Sequence, residues 1–255
     1  MAYRRAMRKD QIALQLYTLR RELADDVPGT LRAVAAAGYR SVELAGLPPL
    51  PADELAGLLA DAGLRPVASH EGIDRLRGDA DEVATRLRAL GCRRAIVPWL
   101  PEEERRTVAD VRRFAAELAG FAGRLGDEGI AVGYHNHAFE FAPLDGTTVW
   151  DVLVEELPAS VEFEVDVYWA SEGGRDPSAV IGACGERLRL IHVKDRAAGA
   201  EPHDAPAGEG TLDLAAILTA ARAAGVEWYI AEQDDPADAL VDVATAYRNL
   251  AARAG

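Results

Sequence analysis

The 255-residue sequence predicts an α/β fold: a (β/α)8 TIM barrel, a single domain spanning residues 1–255. Three observations predict it. An Ala/Leu/Arg-rich amphipathic segment, then a glycine, then a short apolar run recurs down the chain, as in "LRAVAAAGYRSVEL", "LAGLLADAGLRPVAS", "VATRLRALGCRRAIV", "LAGFAGRLGDEGIAVGYH" and "LAAILTAARAAGVEWYIAE". Gly38, Gly63, Gly91, Gly129 and Gly225 stand where each helix would end in a left-handed residue. Strands alternating with helices form parallel βαβ units, and eight such units in about 250 residues close a barrel.

The elements follow in order. A first strand, Gln11–Tyr17, precedes the helix Pro28–Ala37, which Gly38 ends before the apolar run Ser41–Leu44. Helix Ala52–Asp61 ends at Gly63 ahead of strand Arg65–Ser69, and Asp79–Ala89 ends at Gly91 ahead of Arg94–Val97. Helix Glu102–Leu125 leads through Gly129 to strand Ile130–His135. Thr148–Glu156 leads to Val161–Asp166, and Pro177–Cys184 to Arg189–Val193. Leu212–Ala224 leads through Gly225 to Trp228–Glu232, and Asp238–Ala252 closes the chain. Short apolar runs of this kind, bounded by turn residues, read as buried strands. An open doubly wound sheet is the competing arrangement, but no Gly-rich dinucleotide turn follows its first strand. No linker or low-complexity stretch divides the chain.

Composition narrows the function classes. Hydrophobic residues at 49% are ample for a core, and 27% charged residues is ordinary for a water-soluble protein. No window approaches the roughly eighteen consecutive apolar residues of a membrane span. The basic start "MAYRRAMRKD" lacks a following apolar region and a small-residue cleavage site, so secretion is not expected. Cys92 and Cys184 give neither zinc spacing nor a disulfide framework, and a reduced, cytoplasmic protein is the simplest expectation. With 28 basic and 42 acidic residues the net charge is −14, which disfavours nucleic acid and anionic membranes as partners. A small phosphorylated substrate in a local basic pocket stays compatible with it.

Barrel enzymes place their chemistry at the C-terminal ends of the strands. Those ends carry Glu43, His70, Glu71, His135, His137, Glu164, Asp166, His192, Lys194 and Glu232. In "VGYHNHAFEF", His135 and His137 are two residues apart and share a strand face, which suits a metal, a polar substrate or a hydrogen-bonded core pair. In "FEVDVYW", Glu162, Glu164, Asp166 and Tyr168 lie on one predicted face, a poor core strand because buried carboxylates cost several kcal/mol unless paired. Glu43 reads equally well as a solvated loop residue, and His70 as a strand cap. Asp166, His192 and Glu232 come from three consecutive strands, and together they make a candidate divalent-metal site of two hard oxygens and an imidazole.

These residues carry a resemblance. "QLYTLR", "YHNHAFEF", "FEVDVYW", "HVKD", "GEGTLD" and "AEQD" span nearly the whole chain, which resembles the sugar phosphate isomerase/epimerase superfamily of xylose isomerase-like TIM barrels. The resemblance implies one divalent ion held by Glu, Asp, His and Glu at the ends of strands five to eight. Asp166, His192 and Glu232 match the last three, whereas His135 stands where the family has its first glutamate. Either His135 ligates the ion and another acid works opposite Glu232, or the site is rearranged around Glu164 or His137. Mn2+ is the first expectation, with Zn2+, Co2+, Fe2+ or Mg2+ as alternatives.

Proton abstraction next to a carbonyl of a small sugar or keto-sugar is the implied chemistry, through an enediolate. Its fates are isomerisation or epimerisation, or a dehydratase or lyase reaction by loss of a β-substituent. Glu232, His137, Lys194 and His70 are the catalytic candidates; Glu43, Glu164, Trp169 and Arg196 are the substrate-binding candidates. A metal-dependent apurinic-site endonuclease is disfavoured by the acidic charge, and a catalytically silent sugar-binding barrel by the Asp166–His192–Glu232 set. Barrels of this kind also associate into homo-oligomers. The Gly/Ala/Pro-rich segment Arg196–Asp213 has a composition that suits either a lid or an ordinary surface loop.

Overall fold

A computed structural model of the chain describes residues 6–199, 201 and 203–255. Residues 1–5 of the basic N-terminal stretch, and Ala200 and Pro202 of the segment Arg196–Asp213, lie outside the described residues. Eight parallel strands close in chain order: β1 (Ile12–Gln15), β2 (Ser41–Leu44), β3 (Arg65–His70), β4 (Arg94–Val97), β5 (Ala131–His135), β6 (Val161–Asp166), β7 (Leu188–Val193) and β8 (Trp228–Ala231). β8 pairs with β1, with Ala13 opposite Ile230, and closes the (β/α)8 barrel. The strands are buried on both faces, which explains why they read as continuous apolar runs. Gly38, Gly63, Gly91, Gly129 and Gly225 all have positive φ, from 69° to 120°, as the helix-ending pattern requires.

Where the elements depart from expectation, a capping group decides. The first strand stops at Gln15, whose side chain accepts from Tyr17 N and starts a 3-10 turn over Leu16–Leu19. The helix expected from Asp79 has a preceding turn beginning at Ile73, and Asp79 breaks the run (φ −158°, ψ 88°) while capping Glu82 N at 2.9 Å. The helix expected over Glu102–Leu125 divides into a 3-10 turn, Glu102–Glu104, and Val108–Asp127, restarted by the reciprocal Thr107–Asp110 cap. An unforeseen short helix, Val167–Glu172, starts directly after β6, with Asp166 accepting from Trp169 N at 2.9 Å.

The main apolar core fills the layer between the strands and the helices. Inside the barrel Ala13, Val67, Ala68, Ile96, Leu190 and Ile230 form a second, smaller cluster. This plug is tight: a Cβ on Gly133 would lie 2.6 Å from Ile96 Cδ1. Below it Arg94 pairs with Glu162 (2.8 Å) and with Glu227, so the expected carboxylate face of β6 is split. Glu162 belongs to the floor, Glu164 to the layer above it and Asp166 to the mouth. No described helix is long and apolar enough to cross a membrane.

Candidate active site

Closure of the barrel brings side chains from seven strand ends together above the apolar plug. Asp166, His192 and Glu232 offer donor atoms within 4.8 Å of one another. His192 Nδ1 lies 2.7 Å from Glu232 Oε2 and 3.8 Å from Asp166 Oδ2. Lys194 Nζ stands beside this trio, 3.0 Å from Asp166 Oδ2, 2.9 Å from Glu232 Oε2 and 2.5 Å from Asp234 Oδ2. The predicted fourth ligand, His135, faces elsewhere: its donor atom clusters with those of His70, Glu164 and the Nε2 edge of His192. Glu43 Oε2 accepts from Gln15 Nε2 at 2.9 Å and lies 2.7 Å from His192 Nε2. His192 therefore separates a mouth group from a deeper group.

Burial sets the electrostatics. It opposes charge on Glu232, but Lys194 and His192 outweigh it and hold that carboxyl well below the usual range. Burial likewise opposes charge on Glu164, and His192, His135 and His70 overcome it and keep it ionised. Burial, reinforced by the Glu164 charge, pushes Glu43 up to about 7. Asp166 is raised by burial to about 6 despite Lys194. Burial lowers His137 to about 4, aided by Lys194, and holds His135 well below its ordinary value, so both rings are neutral at pH 7. Burial also disfavours the Lys194 charge, but Asp166, Glu232 and Asp234 keep the ammonium charged.

A cavity of about 300 Å³ opens over these groups. His70, His135, His137, Lys194 and Glu232 line it, and Tyr17 (38% exposed) and Trp99 (50%) stand at its rim. Of the predicted substrate-binding residues, Glu43 and Glu164 lie fully buried among the histidines, so the solvated-loop reading of Glu43 does not hold. Trp169 packs against His137 at 5.7 Å and lies 5.4 Å from Lys194 Nζ. Arg196 turns to Glu172, 2.6 Å away. The segment Arg196–Asp213 is tied at its ends: Asp195–Arg196 pairs with Asp204–Ala205, and the Asp195 carboxylate accepts from the Arg196, Gly208 and Leu212 amides.

Several residues that build the site escaped the sequence reading. Asn136 brackets Asp166, accepting from its N–H at 3.0 Å and donating to its C=O at 3.3 Å. Glu140 accepts from Tyr134 Oη (2.8 Å) and His137 N (2.7 Å), fixing the turn that presents His137. Gln15 and Asp234 hold Glu43 and Lys194. A polar residue inside an otherwise apolar first strand was the available signal for Gln15. The register shifts between Val42 and Glu43 against β3 and between Phe163 and Glu164 against β7, with the extra residues, Val67 and Arg189, on the partner strands, so what stands beside each carboxylate is set by local irregularities that a regular alternation does not foresee.

The donor chemistry fits a divalent cation. Asp166, His192 and Glu232 supply two carboxylates and an imidazole, and buried Asp166 Oδ2 makes no well-directed hydrogen bond among the described residues. Two solved structures of sugar phosphate isomerase/epimerases from Parabacteroides distasonis are similar. One is 26% identical, over 94% of this chain and 96% of that chain, with a TM-score of 0.83. The other is 25% identical, over 95% and 94%, with a TM-score of 0.79. The IOLI protein, solved with a bound zinc atom, shares the fold at 14% identity, over 95% of this chain and 97% of that one, with a TM-score of 0.73. No curated protein matches the chain. The model of the xylose isomerase-like TIM barrel matches residues 31–250. With that match, the closed barrel and the polar groups gathered at its mouth, the chain belongs to the xylose isomerase-like TIM barrel family.

Proposed function

We propose that this protein is a divalent-metal-dependent isomerase or epimerase of a small sugar or keto-sugar, removing a proton from carbon next to a carbonyl. The observation that carries this reading is the convergence of Asp166, His192 Nδ1 and Glu232 beside a polar cavity of about 300 Å³. That volume lies at the lower end of small-molecule sites, about 300–1,000 Å³, and suits one sugar unit rather than a polymer. A divalent ion held by Asp166, His192 and Glu232, Mn2+ in the first instance, would supply Lewis-acid polarisation of a carbonyl and its neighbouring hydroxyl. Glu232, ionised at neutral pH, accepts the proton from carbon. Returning it to the neighbouring carbon completes isomerisation; delivery by a second group from the opposite face inverts the centre. Lys194 donates hydrogen bonds to a substrate oxygen, and neutral His137 contacts a hydroxyl from the facing wall.

Keto-sugars incubated in D2O with metal-loaded protein test the reading. Deuterium should appear at carbon next to the carbonyl, and Glu232→Gln should slow its entry by about 10²–10⁴-fold, the usual worth of a positioned base. Chelation should abolish exchange and lower the melting temperature, because an ion that binds the native state stabilises it. The product separates isomerisation from elimination. Full turnover by chelated, metal-free protein refutes the proposal, and a protein purified without metal and inert towards every sugar points to a silent binding barrel.

A further inference from the structure

The deeper group has the makings of a second cation site. Three imidazole nitrogens converge on one carboxylate oxygen: His70 Nε2, His135 Nδ1 and His192 Nε2 lie 2.9, 3.0 and 3.2 Å from Glu164 Oε2. The other oxygen, Glu164 Oε1, is fully buried and makes no hydrogen bond among the described residues. Glu43 Oε1, 3.6 Å from His70 Nε2, is equally buried and equally unpaired. Hydrogen bonding alone leaves those two buried oxygens without a partner, which is costly for a desolvated acceptor. A cation seated among the imidazoles would give the Glu164 carboxylate the partner that hydrogen bonding does not supply.

We propose that His70 Nε2, His135 Nδ1 and Glu164 bind a second divalent ion of the borderline class (Zn2+, Co2+, Fe2+ or Mn2+), separate from the mouth ion. Tetrahedral ligands at about 2.0–2.1 Å from such an ion stand about 3.4 Å apart. The observed 2.9 and 3.0 Å contacts reach that spacing by moving a few tenths of an ångström. His192 serves the two sites differently, because a neutral imidazole has a single lone pair: Nδ1 faces the mouth, and Nε2–H is donated to Glu43 at 2.7 Å. Three protein ligands leave the fourth position open, and His70 and His135 both line the cavity into which it opens.

The inference rests on the proposed function only for the mouth ion, and its test keeps the two apart. Chelated, desalted protein is titrated with Co2+, read by calorimetry and visible absorption, for the wild type, Glu164→Gln, His70→Gln and Glu232→Gln. Melting curves confirm that each variant is folded, and His70→Gln, at the less buried position, replaces Glu164→Gln should that variant not fold. The expected result is two equivalents in the wild type, one weakened at least about tenfold to a hundredfold by Glu164→Gln or His70→Gln and the other by Glu232→Gln. One equivalent that Glu232→Gln leaves and Glu164→Gln removes upholds the deep site while the mouth reading fails. A single equivalent lost in either class of variant, any binding indifferent to both Glu164→Gln and His70→Gln, or no binding at all overturns the inference.

Discussion

Glu140→Gln should flatten the pH dependence of stability above pH 5.5. Glu140 is buried beneath the His137 turn, and burial pushes its carboxyl up to about 8 against the opposing hydrogen bonds from Tyr134 and His137. The native state therefore keeps this proton through a range in which the unfolded chain, titrating near 4.5, has lost it. Stability falls as pH rises wherever the native state binds more protons, so the penalty begins near pH 4.5 and is complete above pH 8. From pH 5.5 to 8 the interval is 2.5 pH units; at about 1.4 kcal/mol per unit this costs the wild type about 3 kcal/mol. Gln has no proton to lose, and its amide still provides one acceptor for His137 N–H and one donor for the Tyr134 hydroxyl. Urea denaturation of both proteins at pH 5.5 and 8.5 is the assay. The stability of Glu140→Gln relative to wild type should rise by about 3 kcal/mol between the two, a large part of a typical 5–15 kcal/mol total. Parallel curves for the two proteins would refute the reasoning.

Other perturbations probe the frame and the chemistry separately. His137→Ala should leave the metal content unchanged by elemental analysis while lowering turnover by about 10²-fold, since its ring lines the cavity without joining either donor cluster. Asn136→Ala removes both hydrogen bonds to the Asp166 backbone and should cost about 1–3 kcal/mol in chemical denaturation, with weaker metal binding as the β6 end loosens. Gly133→Ala forces a methyl to 2.6 Å from Ile96 Cδ1 and 3.2 Å from the Glu162 carbonyl; overpacking of this kind should destabilise by about 1–3 kcal/mol, and Gly133→Ala with Ile96→Val should recover part of it.

The sequence by itself determined the eight strand–helix units and the glycines that end five of the helices, because these features are local. A left-handed residue and a short apolar run leave their mark within a few residues, and the mark needs no knowledge of what lies opposite. Local too was the presence of Asp166, His192 and Glu232 at successive strand ends, where two-residue alternation already says which side chains point inward. Height and partnership are different matters. The alternation places Glu162, Glu164 and Asp166 on one face, but only the closed barrel separates a floor carboxylate paired with Arg94 from one beside the deep histidines and one at the mouth. Closure also carries Glu43 across the lumen to His192, 149 residues away in sequence, and the register shifts at Val42/Glu43 and Phe163/Glu164 decide what those carboxylates meet. His135 ends β5, two residues before His137, and stands where the resembled family has a glutamate, yet its ring meets Glu164; Arg196 looked like a substrate contact and found Glu172. Strand stagger around a barrel is set collectively by all eight strands. No single stretch of sequence contains it, and so the grouping of these donor side chains into a mouth set and a deep set belonged to the tertiary structure alone.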